Sequence, residues 1–237
     1  MQITTQGIVL HKTRFSESSI IAQIFTKDTG VQSFIIKNAF SKKNKNILAL
    51  LENLSMVEVT FDDKKNNIHY LNDINLYYHY TLIPFDIVRK TIFIFYNELI
   101  YKLLREYRTD EIIYCFIEEA LRELDSEAAS LSDIHLRFMV KLSKVMGFYP
   151  NDNYMERRRY FSIEESSFTD HYYESPMYLS ANAASYLWDI MEEKPYSLPP
   201  KSVRQELLDG LIRFFEMHNE QIYKIESVQI LSQILND

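Results

Sequence analysis

The sequence predicts an α+β protein with two parts. A five-stranded, OB-fold-like β-barrel occupies residues 1–80, and an α-helical domain with a small polar β-hairpin-like insertion occupies residues 81–237. Two observations lead to this prediction. Apolar residues recur with a period of about two before residue 80 and at spacings of three and four after it. Hydrophobic residues make up 46% of the chain and charged residues 25%, which is typical of a globular protein.

Short runs of β-branched and aromatic residues, separated by polar turns, predict the strands of the barrel. The turn Lys27-Asp28-Thr29-Gly30 places a glycine where a hairpin commonly needs a positive φ. Five short strands are enough for a small closed barrel such as the OB-fold, and an SH3-like barrel would give a similar pattern. The leucine-rich stretch 46–54 is expected to be a loop with a helical turn. The predicted strands are residues 7–10, 19–25, 31–36, 55–61 and 68–78.

The helical period begins at Phe85 and continues to the end of the chain, with one interruption. Asp110 and Glu111 occupy the first turn of the second predicted helix, where the helix dipole favours acids. Gly147 and Pro150 form a stop signal after the third. Residues 149–179 lack a helical stripe, and within them 160–163 and 168–169 predict a hairpin. The predicted helices are residues 85–107, 109–124, 131–146, 180–191, 202–217 and 227–235.

The composition argues against several classes of protein. One cysteine excludes a disulfide framework and a cysteine-cluster zinc site. Four glycines leave no room for a glycine-rich phosphate loop, and the six histidines show no metal-ligand spacing. Neither a secretion signal nor an apolar run long enough to span a bilayer is evident. We therefore expect a cytoplasmic protein that is not an enzyme and needs no cofactor, metal or membrane.

The distribution of charge points to a polyanion. The chain carries a net charge of -7, yet residues 1–50 hold seven basic side chains against Glu17 and Asp28. Strand ends and loops of one small barrel can bring such cations to a common groove that follows phosphates. Phe15 and Phe40 flank these cations and are candidates for stacking on bases, with packing inside the barrel as the alternative. For the cations, the alternative is a solvated surface with an uneven distribution of charge. The candidate DNA-binding residues are Lys12, Arg14, Lys27, Lys37, Lys42, Lys43 and Lys45.

Several short motifs occur in order along the whole chain. They are Gly7–Leu10, Arg14–Ile20, Phe25–Gly30, Lys37–Lys43, Leu50–Leu54, Phe138–Pro150 and Ile225–Ser227. Together these segments resemble the RecO family of recombination mediators. The glycine and three apolar residues at 7–10 are followed by Arg-Phe-Ser-Glu-Ser-Ser-Ile at 14–20, which looks like that family's Arg-x-Tyr-x-Glu-x-Ser-x-Ile stretch. Asn38 stands where the family usually has glycine, and Phe40 and Ser41 where it has arginines.

The resemblance implies a role in DNA repair and recombination without enzymatic activity. It implies binding of single- and double-stranded DNA, annealing of complementary strands, and, together with RecR, loading of RecA onto DNA coated with the single-strand-binding protein SSB. The expected location is the cytoplasm, at the nucleoid. Two alternatives remain open: a generic OB-fold binder of single-stranded nucleic acid, and an adaptor whose barrel binds a peptide.

The resemblance also implies that the helical domain captures the acidic, hydrophobic C-terminal tail of SSB. Cations beside apolar residues on the third predicted helix would suit a peptide that ends in a carboxylate. An ordinary solvent-facing set of cations is the alternative. The candidate tail-binding residues are Arg137, Phe138, Lys141, Leu142 and Lys144.

One departure from the family concerns zinc. Many members carry four zinc-binding cysteines after the segment that corresponds to Gly147–Pro150, whereas residues 151–178 here contain none. Tetrahedral zinc requires thiolate or imidazole ligands, so we expect an insertion held by its aromatic side chains and without a metal. Arg157–Arg159 offer either a second contact to a polyanion or a solvated surface.

Overall fold

The computed structural model describes residues 1–41, 44–62, 68–104 and 109–236, without the side chains of Lys45 and Asn236. The chain forms two compact units, Met1–Asp125 and Ser126–Asp237. The predicted domain boundary near residue 80 stays a prediction. Across the described ranges, no helix combines the length and apolar character that crossing a bilayer requires.

The first unit contains the predicted barrel. Its five strands close in the order β1-β2-β3-β5-β4, and all neighbouring pairs are antiparallel except β3 with β5. This confirms the OB-fold-like architecture. The strands are β1 Gln2–Arg14, β2 Ile20–Thr26, β3 Gly30–Ile36, β4 Met56–Asp62 and β5 His69–Leu76.

The first strand is longer than the sequence predicts. Its beginning, Gln2–Ile8, pairs with β4, and its later part, Gly7–Arg14, pairs with β2. The prediction started the strand at Gly7 because the preceding residues are mostly polar and carry no apolar alternation. Their partner strand β4, which lies far away in sequence, is what makes them extended.

Alternation places one set of apolar side chains from each strand inside the barrel. Phe34 and Phe61 meet edge to face there, with ring centroids 5.1 Å apart. The short helix α1, Lys45–Leu50, fulfils the expected helical turn between β3 and β4. Its Ile47 and Leu48 pack against this core.

Two helices complete the first unit and cover part of the outer barrel wall. After a 3-10 turn at Ile83–Phe85 come α2, Ile87–Leu104, and α3, Glu111–Leu124. Asp110 caps α3 by accepting hydrogen bonds from two backbone N–H groups. Ring contacts between Phe25 and Tyr114 and between His11 and Tyr101 attach the helices to β2 and β1.

The second unit is helical with a small sheet inserted. The predicted hairpin is confirmed as β6 Tyr160–Ser162 and β7 Ser167–Thr169, and a third strand, β8 Tyr178–Leu179, joins them in the order β7-β6-β8. The prediction missed β8 because a strand of two residues is too short to show an alternation of apolar and polar residues. The helices are α4 Ile134–Val145, α5 Ala181–Met191, α6 Lys201–His218 and α7 Ser227–Asn236.

Candidate nucleic-acid interface

One end of the barrel gathers two of the predicted cations. The register places Arg14, at the end of β1, opposite Ile20, which in turn faces Ile36 at the end of β3. The loops that follow β1 and β3 therefore lie side by side. We call this region the cationic end of the barrel and define it by Arg14, Phe15, Lys37, Phe40 and Tyr70.

Backbone hydrogen bonds hold the two loops together. The N–H of Ala39 donates to the carbonyl of Ser18 at 2.8 Å. Asn38 has a φ of 50°, a left-handed conformation that asparagine adopts more readily than most residues. The side chain of Asn44 donates to the carbonyls of Lys37 and Asn38 at 3.0 and 3.2 Å. The position of Lys37 is thus fixed by the loop itself.

Cations and exposed rings are paired at the cationic end. The Arg14 guanidinium lies 5.4 Å from the centre of the Phe40 ring, and the Lys37 ammonium lies 4.8 Å from that of Tyr70. Phe15, Phe40 and Tyr70 are 61%, 55% and 53% exposed. The alternative that the two phenylalanines pack inside the barrel is therefore wrong. Their ring faces are accessible to a flat ligand such as a nucleobase.

The electrostatic setting distinguishes these cations from the others. Within the described residues, neither Arg14 nor Lys37 forms an ion pair; Arg14 donates only to the carbonyls of Ser16 and Glu17, at 3.1 Å each. A phosphate approaching them displaces none of the described carboxylates. Their charge is available to a polyanion.

Lys12 and Lys27, by contrast, each face a carboxylate. Lys12 binds Glu52 at 2.6 Å, and Lys27 binds Glu111 at 3.3 Å. The hydrogen bond to Glu111 raises the pKa of Lys27 above its usual value. Lys27 also follows β2 at the far end of the barrel, roughly 20 Å from the cationic end along a seven-residue strand. The structure does not bring Lys27 together with Arg14 and Lys37.

Three further predicted cations cannot be placed at this surface. Lys42 and Lys43 lie outside the described residues, and so does the side chain of Lys45 at the start of α1. Their part in DNA binding stays a prediction.

Sequence reasoning missed Tyr70. The parallel register sets Tyr70 beside Ile35, and Ile35 faces Ile21 on β2. Because directly opposed residues point to the same side of a sheet, these three side chains form one outward stripe that is continuous with Lys37. The sequence pattern assigned Tyr70 only to a strand. Its outward direction follows from its position beside His69, whose burial only the structure shows.

The second unit contains a cleft of about 480 Å³ between α4 and the segment that follows α5. Arg137, Lys141 and Lys194 contribute positive charge to its wall, and Asp133 and Glu193 contribute negative charge. Apolar side chains from outside α4 are also part of the wall. This mixture suits a short ligand that has both a negative and an apolar group. The apolar lining residues are Ile190, Pro195 and Leu198.

A buried carboxylate organises this cleft. Asp133 is 1% exposed and accepts hydrogen bonds from Arg137 at 2.8 Å, Tyr186 at 2.9 Å and Tyr196 at 2.6 Å. Burial, assisted by the bond to Asp133, raises the pKa of Tyr196 to about 12. These bonds hold α4, α5 and the segment after α5 in one arrangement.

The structure divides the predicted tail-binding residues. Arg137 and Lys141 line the cleft, where Lys141 faces Glu193 at 3.4 Å. Phe138 and Leu142 are buried in the core, 4% and 1% exposed, because residues adjacent in sequence on a helix do not share a face. Lys144 lies outside the cleft lining, with its ammonium 5.3 Å from the centre of the Tyr149 ring.

One further titratable group, His135, is buried in the core of the second unit. Burial lowers the pKa of His135 to about 3, with Arg204 and Arg137 adding to the shift and Asp133 opposing it. His135 is therefore a neutral core residue at physiological pH. In the part of the chain that the structure describes, no three His, Cys, Asp or Glu side chains converge in a way that could hold a metal ion.

Comparison with known proteins covers both units. The family model described as "Recombination protein O N terminal" matches residues 1–80, and the one described as "Recombination protein O C terminal" matches residues 84–224. The chain is 30% identical to a protein of Flavobacterium johnsoniae named DNA repair protein RecO, over the full length of both chains. Proteins of the same name from Flavobacterium psychrophilum and Phocaeicola vulgatus are 27% identical over both full lengths and 31% identical over 64% of each chain.

Proposed function

The chain belongs to the RecO family, and we propose that it acts in DNA repair as a DNA-binding recombination mediator. In this proposal it binds single- and double-stranded DNA in the cytoplasm, at the nucleoid, and anneals complementary strands. With RecR it helps RecA to load onto single strands coated with SSB. The role is one of binding and rearrangement, without enzymatic turnover.

The observation that carries the proposal is the cationic end of the barrel. Arg14 and Lys37 have no carboxylate partner among the described residues, and each lies against an exposed aromatic ring. Phosphate contacts supply affinity without a sequence code, and stacking on rings tolerates every base. A strand held in this way keeps the hydrogen-bonding edges of its bases open to a complementary strand, as annealing requires.

The cleft of the second unit supports the proposed contact with SSB. Its cations, Arg137 and Lys141, suit the carboxylates of an acidic tail, and Ile190, Pro195 and Leu198 offer an apolar wall for its hydrophobic side chains. The proposed tail site thus keeps Arg137 and Lys141 from the sequence prediction. It takes its apolar part from the cleft lining.

Annealing of SSB-coated complementary strands tests the proposal. The wild-type chain should accelerate annealing, and the variant R14Q/K37Q should lose most of that acceleration because it loses two unpaired cations. The variant K12Q/K27Q removes the same charge from residues that already face carboxylates, and it should anneal nearly as well as the wild type.

Two results would contradict the proposal. If the wild-type chain binds single strands but does not accelerate annealing of coated ones, it is a generic single-strand binder. If the two variants lose equal activity, the cationic end of the barrel has no special part in the reaction.

A further inference from the structure

The small sheet of the second unit has two contrasting faces. Phe161 and Phe168 are each 2% exposed and pack inward, where Phe168 meets the ring of Trp188 at 5.9 Å. Alternation along β6 and β8 turns Tyr160 and Tyr178 to the other side. The inner face is sufficient to anchor the sheet.

The outer face carries a row of four tyrosines. The centres of the Tyr160 and Tyr172 rings are 5.1 Å apart, those of Tyr172 and Tyr178 are 6.5 Å apart, and those of Tyr178 and Tyr173 are 5.2 Å apart. Tyr172 and Tyr173 are 46% and 61% exposed. A row of accessible rings on a sheet is the arrangement on which unstacked bases are bound.

Three consecutive exposed arginines lie at one end of this row. Arg157 and Arg158 belong to a tight turn that the N–H of Arg158 closes by donating to the carbonyl of Met155 at 2.7 Å, and Arg159 follows it. The Arg159 guanidinium lies 5.5 Å from the centre of the Tyr160 ring. No ion pair involves any of the three within the described residues, so their charge, like that of Arg14 and Lys37, is available to phosphates.

A pocket borders the two middle tyrosines of the row. It has a volume of about 360 Å³, and Tyr172 and Tyr178 form part of its wall together with Arg213. The carboxylates of Glu206 and Asp209, also in the wall, accept hydrogen bonds from Ser180 and Gln205. A base that leaves the tyrosine row would find a concave site with polar groups.

From these observations we propose that the outer face of this sheet is a second binding site for single-stranded nucleic acid, separate from the barrel. We call it the tyrosine face and define it by Arg157–Arg159, Tyr160, Tyr172, Tyr173 and Tyr178. The arginines bind phosphates and the tyrosines stack on bases. Because residues 149–179 carry six acidic side chains against these three arginines, the affinity comes from this local arrangement and not from the net charge of the insertion.

The site extends the proposed function in one respect. A protein with two single-strand sites can hold two strands at once. The proposal for the tyrosine face nevertheless stands without the barrel, since its residues belong to the other compact unit.

The test measures binding of fluorescein-labelled oligothymidylate to the full-length chain by anisotropy, at a series of salt concentrations. In a background that combines R14Q/K37Q with K42Q/K43Q/K45Q, and so also removes the other cations predicted to bind DNA in residues 42–45, the tyrosine face should supply the residual binding. The log–log salt slope should then be about -2 for three single-strand phosphate contacts. Adding R157Q/R158Q/R159Q should remove that binding. Adding R122Q/K201Q/K224Q, three exposed cations from outside both surfaces, should leave it in place.

A second variant tests the rings. In the same background, Y172A/Y173A should weaken oligothymidylate binding at least roughly tenfold without flattening the salt slope, since it removes stacking and no charge. Emission from Trp188, which is the single tryptophan of the chain and packs on the inner face of the sheet, reports whether each variant remains folded.

These experiments distinguish an error in the tyrosine-face proposal from an error in the assignment of the barrel as a DNA-binding site. If R14Q/K37Q alone binds like the wild type while the arginine triple variant does not, the barrel assignment is wrong and the tyrosine face is upheld. If the arginine triple variant and its control bind equally, both in the otherwise wild-type chain and in the barrel variant, the tyrosine face is not a nucleic-acid site. Loss of SSB-tail binding by Y172A/Y173A, with oligothymidylate binding unchanged, would identify a peptide site instead and overturn the proposal.

Discussion

The cationic end of the barrel and the cleft of the second unit use the same types of residue in opposite electrostatic settings. Arg14 and Lys37 have rings as neighbours and no ion pair among the described residues. In the cleft, Arg137 is bonded to Asp133 and Lys141 faces Glu193. The cationic end therefore offers its charge along an open surface. The cleft offers it only to a ligand that replaces an existing carboxylate.

This difference teaches that a count of cations does not identify a polyanion site. Lys27 belongs to the basic N-terminal part of the sequence, but Glu111, far away in the chain, compensates its charge. An extended polyanion should select the unpaired cations. A short peptide with its own carboxylate and apolar groups should select the cleft, where geometry contributes more than net charge.

The largest expected effect is on the affinity for single-stranded DNA, measured for variants that lose unpaired cations and for variants that lose paired ones. R14Q/K37Q should lower the affinity for single-stranded DNA roughly 100-fold, at about tenfold per lost charge-assisted contact, and flatten the log–log salt slope by about 1.4. K12Q/K27Q should change both quantities little. A salt titration by fluorescence anisotropy measures them, and equal losses for the two variants would break the comparison.

Acid should separate the stabilities of the two units. Native His135 stays neutral with a pKa near 3, whereas the unfolded chain takes up a proton near pH 6.5. The unfolded state then binds more protons, so the free energy of unfolding of the second unit should fall by about 2 kcal/mol between pH 6.5 and pH 5. Urea denaturation followed by Trp188 emission measures it, and H135Q should abolish this pH dependence.

The first unit should respond only at lower pH. Burial by itself would raise the pKa of Asp125, but hydrogen bonds from the N–H groups of Ile83, Thr81 and Leu82 lower it below the usual 3.8. Its contribution to stability is present above that value and is lost as the pH falls through the native-state pKa. Loss of the barrel signal in circular dichroism at pH 5, before the change in Trp188 emission, would contradict this order.

Substitution of Tyr70 separates the contribution of stacking to single-strand affinity from that of charge at the cationic end. Y70A should lower the affinity for single strands about tenfold, because base–aromatic stacking contributes about 1–3 kcal/mol per base. The salt slope should stay unchanged, since no cation is removed. Y70F keeps the ring and should bind like the wild type; an equal loss for Y70F would assign the effect to the hydroxyl group.

Binding of the C-terminal SSB peptide tests the part that the cleft cations play. K141E should weaken peptide binding roughly tenfold, the size expected for loss of a charge-assisted contact, and should leave single-strand affinity unchanged. K144E is the matched control, because Lys144 lies on the same helix outside the cleft lining. Isothermal titration calorimetry measures both variants. Equal losses would favour the whole cationic helix over the cleft.

The smallest expected effect concerns the loop that positions Lys37. Asn38 has a φ of 50°, which costs a β-branched residue about 1–2 kcal/mol and glycine almost nothing. N38V should lower single-strand affinity a few-fold by moving Lys37 and Phe40, without affecting the peptide. N38G, which restores the usual residue of the family, should bind like the wild type, and a loss for N38G alone would contradict this explanation.

Much of the fold could be predicted because the strands and helices follow the spacing of apolar residues that are neighbours in sequence. Alternating apolar residues located the barrel strands, and apolar spacings of three and four located α2, in which Ile92, Phe95 and Leu99 are buried. The two elements that were shortened or missed, the start of β1 and the strand β8, are extended because of their partners. Neither has an apolar period of its own.

The candidate sites were only partly predictable for a related reason. The sequence named Arg14, Lys37 and Phe40 as binding residues, but it could not reveal that Tyr70 stacks beside Lys37. In the second unit it placed Phe138 and Leu142 beside the cations of α4, whereas the helix turns both into the core. The apolar wall of the cleft comes from a different segment, around Pro195 and Leu198.

The sequence alone thus determined the two-part architecture, the family, and the basic character of the first fifty residues, because periodicity, motif order and charge are properties of neighbouring residues. Only the tertiary structure decided which cations remain unpaired, which rings stay exposed, and which segments share a cleft. Ion pairing and burial depend on residues that approach from distant parts of the chain, such as Glu111 toward Lys27.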